Sequence, residues 1–264
     1  MTLNGKILLE GVGLHSGKNC GLIISPSESQ EIIMNGQPLR KLKLCGTNRG
    51  SDYIFSDDSR VRTCEHVLSA LAGLGIWSGV ELIVNGGEMP ALDGCAKMVC
   101  DEIMSHSDNS TSAKINALEI SEPVIISNDD KTRFIAAFPC DNLHITYTVE
   151  YKFIGAQIMD YEYSPENYLN GIAGARTFAY ESDINYLRSH GMALGGSLDN
   201  AVVIGESGIK AAGGLRWQNE FVRHKILDLT GDLAAIGRPL KAHIIAVRAG
   251  HELHLKLAQK LRGD

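Results

Sequence analysis

Apolar and polar residues alternate along much of the chain, interrupted by a few stretches of helical period. Lys6–Leu9 and Gly21–Ser25 read as strands, and a loop is expected around Gly46–Asp58. A helix is predicted over Thr63–Leu74, with Val67, Leu68, Leu71 and Ala72 as its apolar stripe and Thr63 as a fair N-cap. Val80–Val84 reads as a strand ending at a Gly86-Gly87 turn, followed by a second helix near Gly94–Met104. Further on, Ala117–Ile126, Arg133–Phe138 and His144–Tyr151 are strand-like, rich in Ile, Thr, Tyr and Val. Asp183–Ser189 reads as a short helix before a turn containing Gly191, Gly195 and Gly196, and Gln218–Ile236 is the strongest helical pattern. A strand (Ala242–Val247) and a helix (Glu252–Leu261) close the chain. Strands and helices mix without strict βαβ alternation, so the pattern predicts an α+β fold. No sequence repeat links the two halves. The polar, aperiodic stretch Ser105–Ser112 reads as a linker, giving a first domain over 1–105, a linker over 106–114 and a second domain over 115–264.

Composition narrows the function classes. The 264 residues are 44% hydrophobic and 21% charged, an ordinary globular balance. A net charge of −6 with no basic stripe argues against nucleic-acid binding, while leaving room for a local basic pocket. No apolar run reaches the roughly 20 residues that span a bilayer, and Met1–Leu9 has no signal-peptide pattern. Cys20, Cys45, Cys64, Cys95, Cys100 and Cys140 are scattered without CxxC pairs, which suggests buried thiols in a reducing compartment. The expected location is the cytosol.

The chemistry concentrates in the helix over 218–236. His224 and Asp228 are four residues apart, which places them about 40° apart around the helix axis, and Asp232 extends the line by a turn. Val222, Ile226, Leu229, Leu233 and Ile236 fall roughly 120–200° away and form a core face. A His-x-x-x-Asp pair can give two ligands to a zinc-like ion, or can be a plain contact on a solvated helix face. Glu65-His66, at the start of the other helix, could supply a third ligand (His66) and a carboxylate base (Glu65). His251 follows a strand end, where it could donate a proton or be a surface loop residue. His254 reads as a solvated helix residue. The Gly11–Lys18 segment looks like a phosphate loop but has neither its spacing nor its Ser/Thr, so a tight backbone turn is the expected use of its glycines.

Seven segments then match one family in order and over nearly the whole chain. They are Gly11-Val12-Gly13-Leu14-His15-Ser16-Gly17, Glu65-His66 with Leu68–Gly73, Met89-Pro90 with Leu92-Asp93-Gly94, Ala175-Arg176-Thr177-Phe178, Gly195-Gly196-Ser197, Phe221–Asp228, and Gly250-His251. On these residues the chain resembles the bacterial UDP-3-O-acyl-N-acetylglucosamine deacetylases of lipid A biosynthesis. The resemblance implies two similar α+β domains, each a mixed sheet on a helix pair, in a β-α-α-β sandwich with the site between them. It implies zinc held by His66, His224 and Asp228, Glu65 as general base, and His251, held by Asp232, as acid or electrostatic partner. It further implies that Thr177 bonds the oxyanion, Phe178 contacts the sugar or nucleotide, and Lys225 meets the phosphate side. The segment Asp183–Val203 would be an acyl passage, with Ile184, Met192, Ala193, Leu194, Gly196, Ser197, Leu198, Ala201 and Val203 as candidate lining. The implied partner is a small lipid-linked UDP-sugar, with no nucleic acid, at most peripheral membrane contact and no obligate protein partner. Cys64 departs from the aliphatic residue expected before Glu65, and Glu28–Arg49 matches the family poorly. The rivals are a zinc amidase acting on another acylated amine, and a non-catalytic lipid- or nucleotide-binding protein of the same fold.

Overall fold

The computed structural model describes residues 1–47, 49–108 and 115–263. Six helices form: α1 (Glu65–Gly73), α2 (Lys97–Ser105), α3 (Pro165–Gly171), α4 (Glu181–Ser189), α5 (Glu220–Leu233) and α6 (His251–Arg262). The first half builds a sheet in the order Ile7–Val12, Asn19–Pro26, Val80–Asn85, Ile33–Met34, Gln37–Pro38. The second builds one in the order Val124–Ser127, Phe134–Pro139, Leu240–Val247, His144–Tyr151, Gly155–Glu162. In both sheets the strand that comes last in sequence is central, antiparallel to the second strand and parallel to the third. A helix precedes each central strand and another follows it: α1 and α2 in the first half, α5 and α6 in the second. The two halves thus repeat one topology, although no repeat is visible in their sequences.

Period-2 burial drives the layering. Leu240–Val247 alternates buried and half-buried residues, so Ala242, Ile244 and Ala246 face the helices while Lys241 and His243 face outward. α5 and α6 pack on the second sheet, α1 packs against α2 and α5, and one continuous apolar core runs through sheet, helices, helices and sheet. The α+β class and the sandwich are as the sequence implied. α1 and α5 meet closely because α5 has a glycine at the contact: a Cβ on Gly231 would lie 1.9 Å from the Glu65 carbonyl oxygen.

Several local expectations are corrected. The loop around Gly46–Asp58 contains strands Lys43–Thr47 and Gly50–Ile54, which with Arg60–Val61 make a three-stranded sheet. Leu44, Tyr53 and Phe55 are buried and anchor it. The strand expected over Ala117–Ile126 is broken into Leu118–Glu119 and Val124–Ser127, with Pro123, which has no N–H to give a ladder, between them. Thr63 is not the N-cap of α1. Its φ is +55° and its hydroxyl donates to Glu88 Oε1 at 3.2 Å, while Cys64 takes the cap position. The second helix starts at Lys97, after Gly94 adopts φ +77°. The sequence reading missed strand Gly155–Glu162 and helix α3, which opens with Ser164 accepting from the Asn167 N–H and with Pro165 in the first turn. Of the linker over 106–114, residues 109–114 lie outside the described residues, and Ser107–Asp108 pairs with Thr2–Leu3. Among the described residues, no helix is long and apolar enough to cross a membrane.

Candidate metal centre and active site

His66 enters from the first turn of α1, and His224 and Asp228 come from consecutive turns of α5. One ligand atom from each lies within 4.8 Å of the others, and all three residues are buried. Asp228 Oδ1 is 3.2 Å from His224 Nε2 and 3.6 Å from His66 Nε2. It has no hydrogen-bond partner among the described residues. A buried carboxylate oxygen with no hydrogen-bond donor, facing two imidazole nitrogens, is costly unless a cation sits between them. His224 Nδ1–H donates to the Ala175 carbonyl at 3.0 Å, which fixes the tautomer and leaves Nε2 free to ligate. Burial also pushes the His224 pKa down to about 3, so the ring is neutral, the form a metal requires. The donor set of two imidazoles and a carboxylate fits zinc and leaves a position open.

Around this triangle lies a buried network of charges. His251, at the first turn of α6, donates from Nδ1 to Asp232 Oδ2 at 2.9 Å, and its Nε2 is 3.6 Å from Asp228 Oδ2. Burial alone would lower the His251 pKa, but Asp232 and Asp228 outweigh it and raise it to about 9, so the ring is held as imidazolium. Glu65 is shifted up as well, but by burial itself, which raises its pKa above the ordinary glutamate value. Its Oε2 accepts from the Ser51 backbone N–H at 2.9 Å, and the Ser51 hydroxyl donates to Asp232 Oδ1. The hairpin read as a loop therefore tethers both carboxylates. The polar face of α5 is buried against α1 and α6, not solvated.

A cavity of about 350 Å³ opens over these groups, lined by Glu65, His66, Thr177, Phe178, His224, Lys225, Asp228 and His251, with Arg49, Arg133 and Arg248 among the further residues. Phe178 stands edge-on to the His224 ring at 5.8 Å, with Lys225 Nζ 5.5 Å from its centroid. Lys225 also reaches Asp228 Oδ2 at 2.7 Å. Thr177 and Phe178 line in addition a second, mostly apolar cavity of about 280 Å³. Its walls include Ile184, Leu187, Ala193, Gly196, Ser197, Leu198, Ala201 and Val203. Met192 and Leu194 are in neither lining. The Met192 N–H bonds the Leu187 carbonyl at the end of α4.

Two residues hold the Thr177 segment to α5. The Arg176 guanidinium pairs with Glu220 Oε1 at 2.8 Å and Oε2 at 3.1 Å, and both side chains are buried. This clamp places the Ala175 carbonyl on His224. His254, expected in solvent, is instead fully buried: its Nδ1–H donates to Asp232 Oδ2 at 2.8 Å, and its Nε2 lies 2.9 Å from the Tyr147 hydroxyl. The available signal was its i,i+3 spacing from His251, which puts both rings on one face of α6. The Gly-rich turn is used as a turn: the His15 and Ser16 N–H groups cradle the Glu88 carboxylate at 2.7 and 2.9 Å. Cys64 is fully buried, and burial pushes its thiol well above the ordinary value, so it is inert.

Comparison with known proteins agrees with this geometry. The family model described as UDP-3-O-acyl N-acetylglycosamine deacetylase matches residues 1–263. A Geobacter sp. (strain M21) protein named UDP-3-O-acyl-N-acetylglucosamine deacetylase is 35% identical over 270 residues, covering 98% of this chain and 88% of the relative. Proteins of the same name from Chlamydia felis and Oleidesulfovibrio alaskensis are 36% and 37% identical, covering 98% and 96% of this chain and 95% and 85% of those relatives. The chain belongs to the UDP-3-O-acyl-N-acetylglucosamine deacetylase family, and it is an amide hydrolase.

Proposed function

We propose that this protein hydrolyses the acetamide of UDP-3-O-acyl-N-acetylglucosamine in lipid A synthesis, releasing acetate and the free 2-amino sugar nucleotide, with zinc held by His66, His224 and Asp228. The observation that carries the reading is the buried Asp228 Oδ1, which has no hydrogen-bond partner among the described residues, faces two imidazole nitrogens and lies in the cavity that Glu65 also lines. A bound zinc supplies Lewis acidity toward the acetamide carbonyl and acidifies a water molecule. Glu65, desolvated and surplus to the ligand set, takes a proton from the attacking water. Thr177, on the cavity wall, donates to the developing oxyanion. His251, kept as imidazolium by Asp232, stabilises that charge and hands a proton to the departing amine.

The second cavity suits the 3-O-acyl chain, because it is mostly apolar and shares Thr177 and Phe178 with the first. Lys225, with Arg49, Arg133 and Arg248 lining the same cavity, would face the diphosphate of a small lipid-linked UDP-sugar. We place the protein in the cytoplasm, divided as 1–105 and 115–264, and expect neither nucleic acid nor an obligate protein partner. The test is a deacetylase assay with UDP-3-O-acyl-N-acetylglucosamine on native, chelator-stripped and zinc-restored protein. Activity should vanish on stripping and return with zinc. Full activity in the stripped protein contradicts the proposal, and zinc-dependent activity on a different acylated amine alone transfers the site to another substrate.

A further inference from the structure

The outward face of the second sheet carries a second group of metal-type ligands, on the opposite side of the strands from the catalytic centre. Along His144–Tyr151, Ile145 and Tyr147 point into the core, while His144 and Thr146 point out. Parallel register sets His144 beside His243 of the central strand, and antiparallel register sets Thr146 opposite Asp160 of the strand Gly155–Glu162. We propose that His144, Asp160 and His243 form a peripheral binding site for a divalent transition ion such as zinc or nickel, joining three adjacent strands.

The geometry supports this directly. One ligand atom from each residue lies within 4.8 Å of the other two. The imidazoles stack with centroids 4.4 Å apart and planes 20° apart, so the rings are adjacent and one must turn about its Cβ–Cγ bond for both to aim a nitrogen at one ion. His144 Nε2 donates to Asp160 Oδ1 at 2.8 Å; the Thr146 hydroxyl also donates to Asp160 Oδ1, at 2.7 Å, and lies 2.9 Å from His243 Nε2. This arrangement satisfies the site without metal. With ligand bonds of about 2.0–2.2 Å, an ion can enter once the rings turn and the His144–Asp160 gap widens, the Nε2 proton of each histidine moving to its Nδ1 so that both Nε2 atoms are free to ligate. Thr146 and water complete the shell. Two imidazoles and one carboxylate select zinc, nickel or copper over magnesium or calcium. The half-exposed imidazoles and the exposed Asp160 leave a path for the ion, and competition from the existing hydrogen bonds makes the site weaker than the buried one. Strand Gly155–Glu162 is the sheet's edge, so the ion would pin that edge to the central strand.

The experiment is a zinc titration, read by elemental analysis and thermal melting, on chelator-stripped wild type and on His144→Ala, His243→Ala, Asp160→Asn and His224→Ala. Wild type should bind one equivalent more than each of the three sheet variants at micromolar free zinc. Magnesium in its place should not bind. His224→Ala should lose the other, tighter equivalent, so failure at one site is distinguishable from failure at the other. Zinc should raise the melting temperature of His224→Ala and leave a His144→Ala/His224→Ala double variant unmoved. Asp160→Asn keeps the side-chain shape, which separates ligand loss from misfolding. Equal zinc in wild type, His144→Ala, His243→Ala and Asp160→Asn overturns the proposal.

Discussion

The surroundings of Glu65 and His251 shift both groups toward their protonated forms, for different reasons. Burial raises Glu65, and two carboxylates hold His251 as imidazolium. Glu65→Ala should keep its zinc and lose about 10²–10⁴-fold in kcat, measured beside metal content. Activity within a few-fold of wild type would make Glu65 structural. His254 and Tyr147 lie one step further out, linked to His251 through Asp232. His254→Phe should lower kcat by about 10–100-fold, the size of a supporting-shell loss, with KM little changed. A parallel loss of melting temperature and of KM would reduce His254 to a packing role. The shared helix face of His224 and Asp228 and the place of Glu65-His66 at a helix start were legible in sequence at this scale, because helix geometry fixes them. His254 was not, because nothing local separates a buried imidazole from a solvated one.

At the scale of elements, the helices and core strands follow from hydrophobic period, and His144–Tyr151 formed with the bounds expected. Failures cluster where long-range contacts decide. Gly50–Ile54 is a strand because its hairpin partner and the buried Tyr53 make it one, and its Ser51 then tethers the site. The repeated topology of the halves came only from the family resemblance and not from a sequence repeat, since different residues fill equivalent positions. The Arg176–Glu220 clamp gives a test of how α5 is held. Breaking it with Glu220→Gln strands a buried guanidinium and should cost about 3–5 kcal/mol in denaturant unfolding. Burial would raise the Glu220 pKa, but its bonds from Arg176 and Arg216 outweigh it and hold it below 4.5. A carboxyl with a depressed folded pKa stabilises above its unfolded pKa, and that stability fades as pH falls through the folded value. Glu220→Gln should therefore flatten the acid limb of stability below about pH 4.5; an unchanged acid limb would remove Glu220 from that balance.

The segment Asp183–Val203, proposed to hold the acyl chain, can be tested at this scale too. Each methylene of acyl chain buried in its cavity contributes about 0.8 kcal/mol, so four carbons amount to roughly 3 kcal/mol. Ala201→Phe, on the cavity wall, should depress kcat/KM for a long-chain substrate far more than for a short-chain analogue. Equal losses on both, with a lowered melt, would return this segment to the core.

Across the whole molecule, the site lies between two equivalent helices, α1 and α5, each placed by its own half. Three buried carboxylates and four buried imidazoles meet there, and beside the Lys225 and His251 cations the proposed zinc would offset the remaining negative charge. Removing the zinc should lower the melting temperature by several degrees, since ligand at about 100 times its Kd is worth near 2.7 kcal/mol. Zinc analysis of wild type and His224→Ala, after exhaustive dialysis that clears weakly held ions, tests the centre most directly. One zinc should be retained in wild type and none in the variant, with both folded by circular dichroism. Equal zinc in the two proteins, or a fully active wild type with none, contradicts the zinc centre.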